Sequence, residues 1–139
     1  MSSLFQASER SHAGLILMTE LAFGYGQTNA AQTLQEVASN KLLSQGYLEE
    51  IASALKKAGL IEGKKGPGGG YVLTRAPELI TTEAILTALE GPVRLVECQQ
   101  ALKTCPAEHA CSTRPFWNVL QQRLIETLRE TTLADLLKR

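Results

Sequence analysis

The chain has 139 residues, enough for one domain with a modest core and short for two units that fold independently. It is 44% hydrophobic but only 5% aromatic, a balance that favours helix over sheet. Formal net charge is zero, which excludes a uniformly basic coat; no apolar run approaches the roughly 18 residues of a membrane span, and Met1 to Arg10 lacks the order of a signal peptide, so a cytoplasmic protein away from membranes is expected.

From His12 to Phe23, Leu15, Leu17, Met18, Leu21 and Ala22 recur at near-helical spacing, and Gly24 and Gly26 end the run. Thr33-Leu-Gln-Glu36 fits a capping box, in which hydroxyl and carboxylate satisfy free backbone N–H groups, and predicts a short second helix. Ser44 can cap a third helix that turns Leu48, Ile51, Leu55 and Ala58 inward, leaves Glu49, Glu50, Ser53, Lys56 and Lys57 outside, and stops at Gly59.

Leu60 and Ile61 read as a short strand and Tyr71, Val72 and Leu73 as its partner, joined by the glycine-rich segment from Glu62 to Gly70 with Lys64 and Lys65 at its tip. A helix pair followed by a basic hairpin is the layout of a winged helix-turn-helix, whose second helix enters the DNA major groove. Between Asn40 and Arg75, six basic residues (Lys41, Lys56, Lys57, Lys64, Lys65, Arg75) face three acidic ones (Glu49, Glu50, Glu62), so this stretch suits phosphate although the whole chain is neutral. Ser44, Gln45 and Tyr47 are expected at base edges or phosphates, and Lys64 and Lys65 at phosphates or in the minor groove.

Thr81 or Thr82 can start a fourth helix that buries Ile85, Leu86 and Leu89 and ends at Gly91 and Pro92. Pro115 suits the first turn of a last long helix, where Trp117, Leu120, Leu124 and Leu128 form a stripe that Val119 and Ile125 widen. So broad an apolar face at the end of a small domain is most simply covered by the same helix of a second subunit, which predicts a homodimer. Thr131 to Leu137 closes the chain as a short helix with Leu133, Leu136 and Leu137 to bury. The expected fold is mainly α, a winged helix-turn-helix with a small β-hairpin wing and a long C-terminal dimerisation helix. Residues 1–91 form the DNA-binding region, 92–114 the cysteine loop, and 115–139 the dimerisation helix and tail.

Three cysteines cannot pair completely as disulfides, and Cys98-x6-Cys105-x5-Cys111 places three soft ligands in a segment marked by Pro106. The spacing lacks the Cys-x2-Cys pairs of a zinc ribbon. Chemistry alone leaves an iron–sulfur cluster, a thiol switch, structural zinc or inert cysteine open, with the cluster foremost. A hydrolase built on a cysteine and His109 is disfavoured, because the chain shows no base–orienter pair and no cofactor fingerprint; the protein is not expected to be an enzyme.

Gly66-Pro-Gly-Gly-Gly-Tyr71 after a helix-turn-helix, then Leu89-Glu-Gly-Pro92, Glu97-Cys98, Cys105-Pro-Ala-Glu-His-Ala-Cys111 and Leu133-Ala-Asp-Leu-Leu137, resembles the iron–sulfur cluster regulator family of winged-helix transcription factors. The sequence is most similar to the IscR/NsrR-like members that govern SUF-type cluster assembly, and the resemblance covers nearly the whole chain. It implies a homodimer on double-stranded DNA with a palindromic operator, three cysteine ligands per subunit, and control of genes by cluster status, redox state or nitric oxide. It also implies a role for Glu49, which can accept from a cytosine amino group.

The fourth ligand departs from one family pattern. A histidine three residues after the last cysteine is replaced here by Arg114, which stays protonated and cannot ligate iron. Other members use an acidic residue near the start of the first helix, contributed by the other subunit; sliding Ser11 to Ala22 onto that helix places His12 there. Imidazole is a competent ligand for cluster iron, so His12 is the expected fourth ligand, with His109, Glu9 and Glu108 as alternatives and 2Fe–2S slightly favoured over 4Fe–4S. A solvated or capping histidine is the plain reading of the same residue. The rival function is a cluster-free regulator of the same fold that switches through thiols and disulfides.

Overall fold

A computed structural model describes residues 6–26, 30–41, 43–95 and 112–138. Helix α1 spans Glu9–Tyr25, a turn earlier than the apolar periodicity suggests, because the Ser8 hydroxyl accepts from the Ser11 N–H at 3.0 Å and caps the helix there. Helix α2, Leu34–Lys41, carries the expected box: Glu36 N–H donates to Thr33 Oγ1 at 3.1 Å, and Thr33 N–H donates to Glu36 Oε2 at 3.4 Å. Helix α3, Gln45–Lys57, is capped by Ser44, whose hydroxyl accepts from Tyr47 N–H at 3.3 Å. It buries Leu48, Ile51, Ala52 and Leu55. Ala58 is a correction: α3 ends at Lys57, and Ala58 is its exposed cap while Ala52 takes the inward place.

Strands β1 (Ile61–Lys64) and β2 (Gly70–Leu73) pair antiparallel with Ile61 opposite Leu73 and Lys64 opposite Gly70. The hairpin is anchored to the helices by an isolated bridge: Gln32 N–H donates to Tyr71 O at 3.1 Å, and Tyr71 N–H donates to Gln32 O at 2.8 Å. Gly70 makes this approach possible, since its φ is +141° and a Cβ there would collide with the Gln32 carbonyl.

A 3₁₀ turn at Pro77–Leu79 leads to helix α4, Thr82–Glu90, capped by Thr81 through Ala84 N–H at 3.1 Å and closed by Gly91 at φ +82°. Ile85 and Leu89 are buried, whereas Leu86 is only half-buried. Helix α5, Arg114–Glu130, has Pro115 in its first turn as expected, and none of its residues is buried. Helix α6, Leu133–Leu137, buries Leu133 completely, while Leu136 and Leu137 are half-buried. The tail is stitched to the start of α4: Thr82 N–H donates to Thr131 O at 2.9 Å, Leu133 N–H to Ile80 O at 2.8 Å, and Thr82 Oγ1 to Leu128 O at 2.7 Å.

The result is mainly helical with one small two-stranded sheet. Leu17 and Met18 of α1, Leu48, Ile51 and Leu55 of α3, Ile85 of α4 and Leu133 of α6 meet fully buried in a single core. Each such side chain contributes about 1.5–3 kcal/mol, so the core fixes α3 and the wing relative to α1 and α4.

Candidate nucleic-acid interface and cysteine segment

Gln45 and Glu49, one helical turn apart and both exposed, stand on the outer face of α3 behind the Ser44 cap. Together with Thr33 and Gln35 at the start of α2 and Gly70 and Tyr71 at the base of the wing, they line a groove of about 490 Å³. Ser53 and Lys56 continue the exposed side of α3. Tyr47 is half-buried and packs against the core, so part of its ring serves the fold.

Lys64 ends β1 rather than standing free at the tip, and its Nζ lies 3.5 Å from Glu62 Oε1. Both side chains are 55% exposed, so the pair is worth little and leaves Lys64 open to a phosphate. Lys65 is exposed just before the turn that Gly69 N–H closes on Gly66 O at 2.9 Å. Helix-turn-helix and wing thus meet in one polar groove, and the wing carries exposed basic groups beyond it, groups of the kinds that a major groove and its phosphates require. Two residues are not foreshadowed by the sequence analysis: Gln35 in the groove lining, and Gln32, whose bridge to Tyr71 anchors the wing. Gln35 follows from its place in the capping-box helix, whereas Gln32 leaves no signal, because one bridging residue has no periodicity.

At the other end of the molecule, α1 and α4 are fastened together. Ser8 Oγ donates to Glu90 Oε1 at 2.6 Å, Arg10 Nε donates to Leu89 O at 2.9 Å, and Gly14 lies directly against the Leu89 side chain. The chain leaves this junction through Gly91 and Pro92 toward the cysteine segment. Cys98, Cys105, Cys111, Glu108 and His109 lie outside the described residues. His12 is exposed and lies on the side of α1 turned away from Arg10 and Gly14, since successive helical residues advance by about 100°. Glu9 is likewise exposed. Among the described residues no group of three or more His, Cys, Asp or Glu side chains forms a metal site, and no helix is long and apolar enough to cross a membrane.

Residues 7–139 match Rrf2, described as an iron-dependent transcriptional regulator. The chain belongs to the Rrf2 family. The HTH-type transcriptional regulator CymR of Bacillus subtilis is 35% identical over 129 residues, which are 93% of this chain and 87% of CymR. The solved structure of that protein, the global cysteine regulator, aligns over 95% of both chains with a TM-score of 0.77. The HTH-type transcriptional regulator IscR of Erwinia tasmaniensis is 35% identical over 103 residues, 74% of this chain and 62% of that protein. The structure of T. potens IscR aligns with a TM-score of 0.78 and 31% identity over 96% of this chain and 86% of that one. This Rrf2 protein is therefore a DNA-binding transcriptional regulator with a winged-helix fold, and its named relatives are regulators rather than enzymes.

Proposed function

We propose that this Rrf2 regulator is a homodimer whose grip on a palindromic double-stranded operator follows the state of an iron–sulfur cluster. Cys98, Cys105 and Cys111 supply three thiolates, and His12 of the partner subunit supplies the fourth ligand. A 2Fe–2S form is favoured, since mixed sulfur and imidazole ligation suits it. Residues 1–91 read DNA, 92–114 hold the cluster and 115–139 pair the subunits.

The observation that carries this reading is the placement of His12. Arg10 and Gly14 commit one side of α1 to the end of α4, which leads into the chain's own cysteine segment. His12 is exposed on the side of α1 away from Arg10 and Gly14, and its side chain makes no hydrogen bond among the described residues, which suits the role proposed for it toward the other subunit. The donor set fits: three soft thiolates and a neutral imidazole form a ligand group that iron in a cluster accepts. The family's description as iron-dependent supports the same metal.

When bound, the cluster supplies iron that responds to oxidants and small gaseous ligands. The chain's own residues do the rest. Arg10 and Ser8 join the start of α1 to the end of α4, and α1 packs on α3, so a change in how the cysteine segment is held reaches the recognition helix. The exposed apolar side chains of α5, among them Phe116, Val119 and Leu124, supply the dimer seam.

The test is direct. Protein purified without oxygen is expected to be brown, with iron, acid-labile sulfide and visible absorbance that Cys105→Ala removes. A colourless protein that takes up no iron on reconstitution, yet forms disulfides under mild oxidant, would establish the cluster-free thiol switch instead.

A further inference from the structure

Between α4 and α5, closed at one end by the exposed cap of α3, lies a cavity of about 620 Å³, a size typical of small-molecule sites. It is separate from the groove on the DNA face. Ala84, Ala88, Val93 and Ile125 give it an apolar lining. Three further features make it more than a packing gap.

The first is charge. Glu83 and Arg129 both line the cavity and neutralise one another, Arg129 Nε lying 3.0 and 3.1 Å from the two carboxylate oxygens of Glu83. Arg94 also lines it, is exposed, and has no ion pair among the described residues, so the cavity keeps one positive charge. The second is Gln121, whose Oε1 is buried on the same wall and accepts no hydrogen bond among the described residues. Buried amide oxygens in native proteins nearly always have a donor. The third is Thr87, whose exposed residue adds a hydroxyl to the lining.

We propose that this cavity binds a small organic carboxylate that also carries an N–H or O–H donor, the chemistry shared by 2-amino and 2-hydroxy acids. Its carboxylate pairs with Arg94, its donor satisfies Gln121 Oε1, and its aliphatic part lies on Ala84, Ala88, Val93 and Ile125. An occupant there touches the end of α3, α4 and α5 together. The site does not depend on how the cysteines are used.

Trp117, the only tryptophan of the chain, lies one helical turn before Gln121 on α5 and reports binding by its fluorescence. Four probes decide the chemistry: L-leucine, its 2-hydroxy analogue, 4-methylpentanoate, which lacks the donor, and L-leucinamide, which lacks the carboxylate. The expected result is a saturable change with the amino acid or the hydroxy acid, and at least tenfold weaker binding of both truncated probes. The stronger of the two acids identifies the class. Arg94→Ala is expected to weaken the acid at least tenfold. In Gln121→Leu the preference for a donor disappears, so that the acid and 4-methylpentanoate bind alike. No saturable response to any probe up to about 10 mM, by fluorescence or calorimetry, would overturn the proposal. So would binding that survives both substitutions, or a Gln121→Leu protein that retains the preference for the donor.

Discussion

Leu89 Cδ1 occupies the space in which a side chain on Gly14 would begin. That contact lets the start of α1 lie close against the end of α4, where Arg10 and Ser8 then reach Leu89 O and Glu90. Alanine at position 14 gains about 1 kcal/mol of helix propensity, but forces the buried Leu89 from its place, and overpacking costs about 1–3 kcal/mol. Gly14→Ala is therefore expected to lose about 1 kcal/mol net in urea unfolding. Leu89→Ala in the same chain is expected to relieve the clash, so the two losses are not additive. Additive losses would show that the two residues do not compete for the same space.

The apolar face of α5 predicts an interface. Phe116 is 60% exposed, Val119 56% and Leu124 39%, although the same helix presents Trp117 and Leu120 one position along. Leu124→Asp places an unpaired charge in that seam and is expected to cost several kcal/mol of association. Light scattering is expected to give a dimer for the unmodified protein at micromolar concentration and a monomer for the variant. A monomeric unmodified protein would remove the basis for α5 as a seam.

Glu49 and Lys65 are expected to fail in different ways. Glu49 lies beside Gln45 in the groove between α2, α3 and the wing, and if it reads bases as proposed, Glu49→Ala is expected to change the sequences selected from a random duplex pool more than the total affinity. Lys65, beside the wing turn, is proposed to act through charge. Lys65→Ala is expected to weaken all sequences together and to lower the slope of log affinity against log salt by about one unit. An unchanged slope would exclude a phosphate contact, and uniform weakening by Glu49→Ala would exclude base reading.

Caps and core were legible in the sequence because each is a local chemical requirement. Thr33, Ser44 and Thr81 stand where helix N–H groups need an acceptor, and Leu48, Ile51 and Leu55 recur at the period of a helix. Ser8 is not legible as a cap, since the apolar pattern begins a turn after it, among polar residues that carry no periodicity. Ala58 differs from the expectation because the helix stops one residue before the stripe would bring it inward. The ties of Gln32 to Tyr71 and of Arg10 to Leu89 join residues distant in sequence, and no local pattern encodes them. For the candidate site, cysteine spacing and the glycine-rich wing were readable as chemistry. The side of α1 on which His12 stands required the packing of α1 on α4.

Asp135 gives α6 a pH dependence. Its carboxylate accepts from Thr132 N–H at 2.9 Å within a capping box, and this backbone hydrogen bond, followed by that of the Thr132 hydroxyl, holds its pKa below the ordinary 3.8. A lowered folded-state pKa means that the contribution is present above 3.8 and is lost as pH falls through the lower folded value. The urea midpoint of the unmodified protein is expected to fall more steeply below pH 3.8 than that of Asp135→Asn, while the two curves run parallel above pH 5. Identical slopes in the acid range would show that the box does not titrate.

His12 carries the most consequential prediction, because it separates a cluster shared between subunits from one held within a single loop. The residue is exposed in the first turns of α1, so His12→Ala is expected to change folding stability by less than about 0.5 kcal/mol and to leave the dimer intact. A lost ligand, by contrast, alters the electronic environment of iron and its resistance to oxygen. His12→Ala is therefore expected to shift the visible absorbance of the anaerobically purified protein and to shorten its lifetime in air. His109→Ala and Glu108→Ala are expected to do much less. A mixed dimer sharpens the test. One subunit carries His12→Ala and the other lacks its cysteines, so the sole cysteine-bearing segment belongs to the chain without the imidazole. If the ligand crosses between subunits, this dimer keeps the unmodified spectrum, and the dimer with both changes on one chain loses it. The opposite outcome would place His12 on the cluster of its own subunit. Loss of the spectrum with His109→Ala alone would place the fourth ligand in the loop between Cys105 and Cys111.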